Sequence, residues 1–262
     1  MALEYNNSLI VYYDILGFKE IVETKTAAEV GAILSVFKEK SRVSLYEQEL
    51  FEKSYTNFSD TVIISVNLLS ENNLRHPPGI LFHELMNIMY VQNELLQKNI
   101  ILRGVMTLGE IFHKTDQFYG PGVISAYEKE RDIAIYPRII IDPSVIDIYL
   151  NTPALKADIH DIEDDKEYVY SLLRKDSNDD LLFVDYLKAY STELDNPSDY
   201  DDVLLKHKYL VIDNAKRFGN IQKVLDKYLW MANYHNQVVS EKKHLSVKSE
   251  FLITQSDIPA MP

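Results

Sequence analysis

The run Ser8-Leu9-Ile10-Val11-Tyr12-Tyr13-Asp14-Ile15-Leu16-Gly17-Phe18 decides how this chain is read. From Ser8 to Ile15 it is β-branched, aliphatic and aromatic with little polar relief, the pattern of a central strand buried on both faces, and Gly17 ends it. Asp14 breaks the pattern. A carboxylate at the exit of a buried strand is costly unless it meets water, a cation or a helix terminus. Asp14 is therefore either a metal-facing group or the cap of a helix that begins near Gly17, and the sequence leaves both readings open.

Working outward, residues Ala27 to Phe51 carry Val30, Ile33, Leu34, Val36 and Phe37 at helical spacing, with charges on the other face. Two short strand-like runs follow, Tyr55 to Phe58 and Thr61 to Val66, joined by Ser59 and Asp60. This predicts a hairpin with Asp60 at its tip, either as a functional acid or as a plain turn residue. Leu81 to Gln97 is periodic for a helix, and Ile100 to Phe112 reads as a strand in which Gly104 and Gly109 predict a bend or bulge. Gly120 to Gly122 opens a short helix through Glu130. Pro137 to Ile141 returns as a buried strand, and a helix runs near Pro143 to Leu150. The order βα, ββ, αβ, αβ predicts an α+β fold with a ferredoxin-like βαββαβ core, an antiparallel-rich sheet with helices on one face.

The second half is less patterned. Asn151 to Lys166 is acidic and predicted as loop, and Tyr168 to Leu173 and Leu181 to Tyr186 flank Asp176 to Asp180 as a hairpin. Leu204 to Lys216 and Val224 to Val238 are amphipathic helices, Asn196 to Asp202 reads as a linker, and Lys242 to Pro262 loses periodicity. This divides the chain into a main domain over 1–190 and a C-terminal helical extension over 191–262 that packs on it.

A formal charge of -13, from 40 acidic against 27 basic residues, argues against nucleic acid or anionic lipid as a partner. The absence of cysteine excludes disulfides, thiolate metal sites and a Cys nucleophile, so any metal must be held by oxygen or imidazole. Met1 to Asn7 has no secretory features and no run approaches the ~18 to 20 apolar residues of a membrane span, which predicts a cytoplasmic protein without a membrane partner. If the first strand lies beside the hairpin, Asp14 and Asp60 emerge at one sheet edge. There they would bridge two hard cations about 3.5 to 4 Å apart, a geometry suited to phosphoryl transfer.

The segments Asp14-Ile15-Leu16-Gly17-Phe18, Leu102-Arg103-Gly104-Val105-Met106-Thr107-Leu108-Gly109-Glu110 and Tyr119-Gly120-Pro121-Gly122 leading to Ala126, with the spacing to Asp60, resemble the class III nucleotidyl cyclases over about residues 8 to 141. More narrowly, Phe58-Ser59-Asp60, Leu102-Arg103-Gly104, Tyr119-Gly120-Pro121 with Ala126-Tyr127-Glu128, and Tyr136-Pro137-Arg138-Ile139-Ile140-Ile141-Asp142 resemble the compact bacterial cyclases of the Pycsar anti-phage systems, which make cyclic UMP or cyclic CMP. The resemblance implies a pyrimidine nucleoside triphosphate substrate, UTP or CTP, cyclised with release of pyrophosphate by residues 1–190 as the catalytic domain. It implies two ions of Mg2+ or Mn2+ held by Asp14, Asp60 and the carbonyl of Ile15, a phosphate-binding Arg103, and a homodimer with active sites at the interface.

Departures from the family pattern qualify those expectations. Thr56 and Gln117 stand where adenylyl members carry the lysine and aspartate that read adenine, so they become the candidate base-binding pair, through hydroxyl and amide groups. Ile124 and Glu128 replace the asparagine and arginine that orient ribose and steady the transition state. Arg138 and Arg131 are then the nearest candidate replacements, while Lys53, Arg174 and Lys175 are either further cationic contacts or ordinary solvated charges. Two other functions stay open: a degenerate cyclase that binds nucleotide or only dimerises, and a two-metal palm enzyme that joins two nucleotides.

Overall fold

The computed structural model describes residues 4–75, 77, 79–114, 117–159, 161–242 and 248–258. Strand β1 (Asn6–Ile15) leads into α1 (Phe18–Thr24), α2 (Ala27–Lys40) and α3 (Leu45–Leu50), then β2 (Lys53–Phe58), β3 (Thr61–Asn67), α4 (Glu71–Arg75), α5 (Ile80–Leu96) and β4 (Leu102–Lys114). After these come β5 (Gln117–Tyr119), α6 (Pro121–Asp132), β6 (Ile139–Ile141), α7 (Pro143–Tyr149), α8 (Ile162–Ser171), β7 (Leu173–Lys175) and β8 (Leu182–Val184). Helices α9 (Tyr186–Tyr190), α10 (Pro197–Arg217), α11 (Gln222–Glu241) and α12 (Lys248–Phe251) complete the described chain.

The sheet has eight strands in the order β2-β3-β1-β4-β6-β8-β7, with β5 paired to β4 outside that path. Its first four strands are mutually antiparallel in the spatial order β4-β1-β3-β2, the arrangement expected of a βαββαβ core. The β4–β6 pair is parallel. Leu9, Ile10 and Val11 are wholly buried because β1 is central and covered on both sides. Successive β1 side chains serve opposite layers: Tyr13 meets Phe37 of α2 edge-on at 6.2 Å, and Tyr12 meets Tyr127 of α6 at 6.5 Å. Helices therefore cover both faces, not one.

Helix α6 lies close to the sheet because glycine meets glycine. A Cβ on Gly109 would stand 2.4 Å from the Cα of Gly122, and one on Gly122 would stand 2.5 Å from Ile10 Cδ1. Gly104 is enclosed in the same way by Tyr12 and Tyr13. The register of β4 against β1 continues without a break from Leu102 to Ile111, so neither glycine marks the expected bend or bulge. Both mark close approach instead.

Other elements differ from the sequence reading for local reasons. The expected Ala27–Phe51 helix is broken because Ser44 and Glu47 form a capping box that starts α3 afresh. Residues 168–171 are helical, since Asp161 caps α8 by accepting from the amides of Glu163 and Asp164, and the hairpin forms later, between β7 and β8. The expected linker at 196–202 is the first turn of α10, which Pro197 opens.

The C-terminal helices share the main core: Leu204, Val211, Met231 and Val238 are as buried as the central strand. Of the tail expected to lose periodicity, 243–247 and 259–262 lie outside the described residues. The rest holds α12 and the buried side chains Phe251, Ile253 and Ile258. A hydrogen-bond chain anchors it. The Phe251 carbonyl can only accept, so His235 Nε2 donates to it at 2.8 Å and His235 Nδ1 is left bare to accept from His207 Nδ1 at 3.2 Å. His207 Nε2 then accepts from the Tyr186 hydroxyl at 2.9 Å. The chain runs only with both imidazoles neutral, and burial first of all holds both rings below the ordinary histidine pKa, His235 at about 4. Among the described residues no helix is long and apolar enough to cross a membrane.

Two predictions follow from this packing. Gly122→Ala should lower the unfolding free energy by about 1 to 3 kcal/mol by prising α6 from β4, measured by urea denaturation. Unfolded histidine takes up a proton near ~6.5 that native His235 refuses down to about 4. Stability should therefore fall as pH drops through that window, on the order of 2 kcal/mol between pH 7 and 5 from His235 alone. Urea midpoints of wild type and His235→Gln against pH should show a shallower slope in the variant.

Candidate active site

Asp14 stands at the last turn-out of β1, opposite Thr61 of β3 and Arg103 of β4. The β2–β3 turn is tight, with Ser59 in the left-handed region at φ 52, and the Asp60 carbonyl accepts a hydrogen bond from Ile15 N at 3.1 Å. This clamps the hairpin tip onto the strand exit and sets Asp60 beside Asp14. Asp14 shares the α6 side of the sheet with Tyr12, two residues earlier. It does not cap α1: the N-cap is Gly17, at φ 77, and no side chain bonds there.

Arg103 Nε and Nη2 each donate to an oxygen of Asp14 at 3.3 Å. On its other side the guanidinium abuts Glu130 of α6 as an ion pair, although Glu130 Oε1 makes no aligned hydrogen bond. Glu130 is only 3% exposed. Burial above all raises the Asp14 pKa, Arg103 pulls it back, and the Asp60 charge adds to the rise. Burial and then the Asp14 charge raise Glu130. Arg103 is thus a single cation shared by crowded acids.

Sequence reasoning did not single out Glu130, yet the signal is there. Gly122, Ala126 and Glu130 recur every four residues as the buried stripe of α6, which aims Glu130 at the sheet. Lys227 of α11 is half-buried and lies in the fields of Arg103, Asp14 and Glu130.

Thr56 and Gln117 are placed elsewhere, around the far end of β4. Thr56 Oγ1 bonds His113 Nε2 at 2.9 Å, and Gln117 is exposed and pairs with Lys114 in the β4–β5 ladder. Burial pushes the His113 imidazole down to about 4, so it meets Thr56 and Ser65 neutral. Ile124 and Glu128 are exposed on α6.

Arg138 corrects an expectation. Its side chain is 0% exposed, enclosed by the rings of Tyr136, Phe183 and Trp230, and ion-paired with Asp176 and Asp179. A guanidinium so enclosed presents no donor to a substrate. Arg131 pairs with Asp132 on the α6 surface. Lys53 is buried against Glu84, Arg174 joins Asp185 and Glu241, and Lys175 pairs with Asp180, so all three are structural or solvated charges.

The oxygen donors Asp14, Asp60 and the Ile15 carbonyl suit a hard divalent cation. Among the described residues no group of three or more His, Asp or Glu is arranged to hold a metal. Two carboxylates and a carbonyl are a donor set of the kind that binds Mg2+ only together with phosphate oxygens and water. Beside it, a cavity of about 760 Å³ opens between the β1–α1 connection, the α5–β4 connection and helices α10 and α11.

No protein-family model matches the chain, and no curated protein matches it. Among solved structures it is similar to the adenylyl cyclase CyaB from P. aeruginosa, at 13% identity and a TM-score of 0.44 over 58% of this chain and 84% of that one. It is also similar to a bacterial light-regulated adenylyl cyclase, at 14% identity and a TM-score of 0.41 over 56% and 81% of the two chains. The guanylyl cyclase Cya2 aligns at 11% identity and a TM-score of 0.40, over 70% and 93%. At such scores nothing about this chain's activity follows from the likeness.

Proposed function

We propose that this protein is a class III type nucleotidyl cyclase that converts UTP or CTP to its 3′,5′-cyclic monophosphate and pyrophosphate, as a cytoplasmic signal in bacterial anti-phage defence. One observation carries the reading: the Asp60 turn is clamped by a backbone hydrogen bond of 3.1 Å to the residue after Asp14, with Arg103 across the ladder from Asp14. Bound there, two divalent ions would neutralise phosphate charge and lower the pKa of the ribose 3′-hydroxyl that attacks the α-phosphate. Asp14 and Asp60 hold that site, and Arg103 turns its fork from Asp14 and Glu130 to phosphate oxygens. Thr56 and Gln117, remote from Asp14 within one chain, would offer donors and acceptors to a pyrimidine edge at the site of a second copy.

Class III sites form between two copies, and the α6 side of the sheet supports that arrangement. Phe58 there is 65% exposed and Ile124 61%, with Tyr127 also open to solvent. Apolar groups so displayed are suited to an isologous partner. A second reading, nucleotide binding without turnover, is favoured by Ile124 and Glu128 at the ribose and transition-state positions.

The test is incubation with ATP, GTP, CTP or UTP plus Mn2+, with products identified by mass spectrometry. Cyclic UMP or cyclic CMP is expected from wild type, none from Asp14→Ala or Asp60→Ala, and roughly 10²- to 10³-fold less from Arg103→Ala. Saturable UTP or CTP binding without product establishes the second reading, and a linked dinucleotide product refutes both. In the same preparations Phe58→Asp with Tyr127→Asp should sediment as monomer and lose activity.

A further inference from the structure

The cavity beside Asp14 reverses the charge of the molecule. The chain as a whole carries -13, yet the cavity wall holds five cations, Lys19, Lys25, Lys98, Arg217 and Lys227, against two carboxylates, Glu20 and Glu23. In an acidic protein such a local excess concentrates anions. Its wall includes the Ile15-Leu16-Gly17 exit of β1, the residues that directly follow Asp14, while the side chains of Asp14, Asp60 and Arg103 lie outside the lining. A volume of about 760 Å³ falls within the usual ~300 to 1,000 Å³ of small-molecule sites.

Two of the cations come from the C-terminal helices. Arg217 ends α10 and pairs with Glu20 of α1 across the cavity. Lys227 lies in α11, half-buried, and forms no ion pair or hydrogen bond with any described residue. A half-buried ammonium without a partner is unfavourable, and burial, then Arg103 and Lys223, depress its pKa against the pull of Asp14 and Glu130. A partly desolvated lysine at a cavity wall, near Asp14 and Glu130 but in ion pair with neither, is suited to a ligand anion.

We propose that the C-terminal helix pair is part of the substrate site: Lys227, with Arg217, closes a cavity beside Asp14 that takes a polyphosphate, either the tail of a nucleoside triphosphate or the pyrophosphate released from it. The nucleotide part rests on the cyclase reading, while the polyphosphate part stands on the cavity itself. Lys227 then supplies within the same chain a cation near the reacting phosphates, where Ile124 and Glu128 provide none.

Calorimetric titration of the full chain with sodium tripolyphosphate, with and without Mg2+, tests the cavity directly. Wild type should bind; Lys227→Gln should bind about 10- to 100-fold more weakly, the loss of one charge-assisted contact. Lys227→Arg should restore most of the affinity, and Lys166→Gln, on α8 with Glu163, should leave it unchanged. Arg217→Gln, at a half-exposed side chain, provides a second variant with little demand on folding. The cyclase assay on the same variants separates the two claims. Lys227-dependent tripolyphosphate binding without cyclic product sustains the cavity and removes the cyclase reading. Cyclic product with an unchanged KM in Lys227→Gln, or tripolyphosphate affinity indifferent to positions 217 and 227, overturns the proposal.

Discussion

The interaction on which the site depends is the two-sided pairing of β1, which meets β3 and β4 in one register and thereby fixes what can stand beside Asp14. Thr61 and Arg103 are its opposite numbers across the two ladders. A slip of one residue in either ladder would turn Asp14 from the α6 side of the sheet to the α2 side, among Tyr13 and Phe37. The close fit of Gly104 under Tyr12 and Tyr13 opposes that slip, since a neighbouring residue's Cβ would not fit there. The core therefore does chemical as well as structural service, because it sets the aim of the acid that terminates its central strand.

Close approach of α6 is the second constraint. Gly109 and Gly122 let the helix settle within backbone contact of β4, and this brings Glu130 to Arg103. The result is a cluster in which one guanidinium answers two carboxylates and a third stands on the adjacent turn. Partly buried like charges of this kind are unfavourable unless cations are drawn in. The fold holds the cluster together by strand pairing and glycine packing, at a cost that the cluster's own pairing offsets only in part.

Much of the core was legible in the sequence, because β1, the β2–β3 hairpin and α5 each carry an unambiguous period and their order admits few topologies. The position of Asp60 at a turn was legible for the same reason. What escaped the sequence depends on contacts between remote segments. The glycines of β4 look alike as letters whether they bend a strand or admit a helix, and only Gly122, far along the chain, decides the matter. Arg138 carries the same formal charge as Arg103, but Asp176 and Asp179 of the β7–β8 hairpin and Trp230 of α11 enclose it. Single-position reasoning cannot see such partners. Of the acidic stretch expected as loop, residues 162–166 were misread because Asp161 caps α8 and Glu163, Asp164 and Asp165 fill its first turn.

The pairing within the cluster also constrains how ligands must enter on the proposed reading. Arg103 cannot bind a phosphate while both its neighbours hold it, and Asp14 cannot give its lone pairs fully to a cation while Arg103 takes them. A divalent cation that engages Asp14 weakens the hold on Arg103, and an anion that engages Arg103 frees Asp14 for the cation. Each ligand relieves the contact that opposes the other, so on the proposed reading metal and polyphosphate bind with positive coupling, and linkage requires that coupling to be reciprocal. Lys227 adds to it from one side only, since it attracts the anion without competing for Asp14. On that reading two carboxylates alone hold Mg2+ weakly, and the phosphate that completes the coordination shell would secure it.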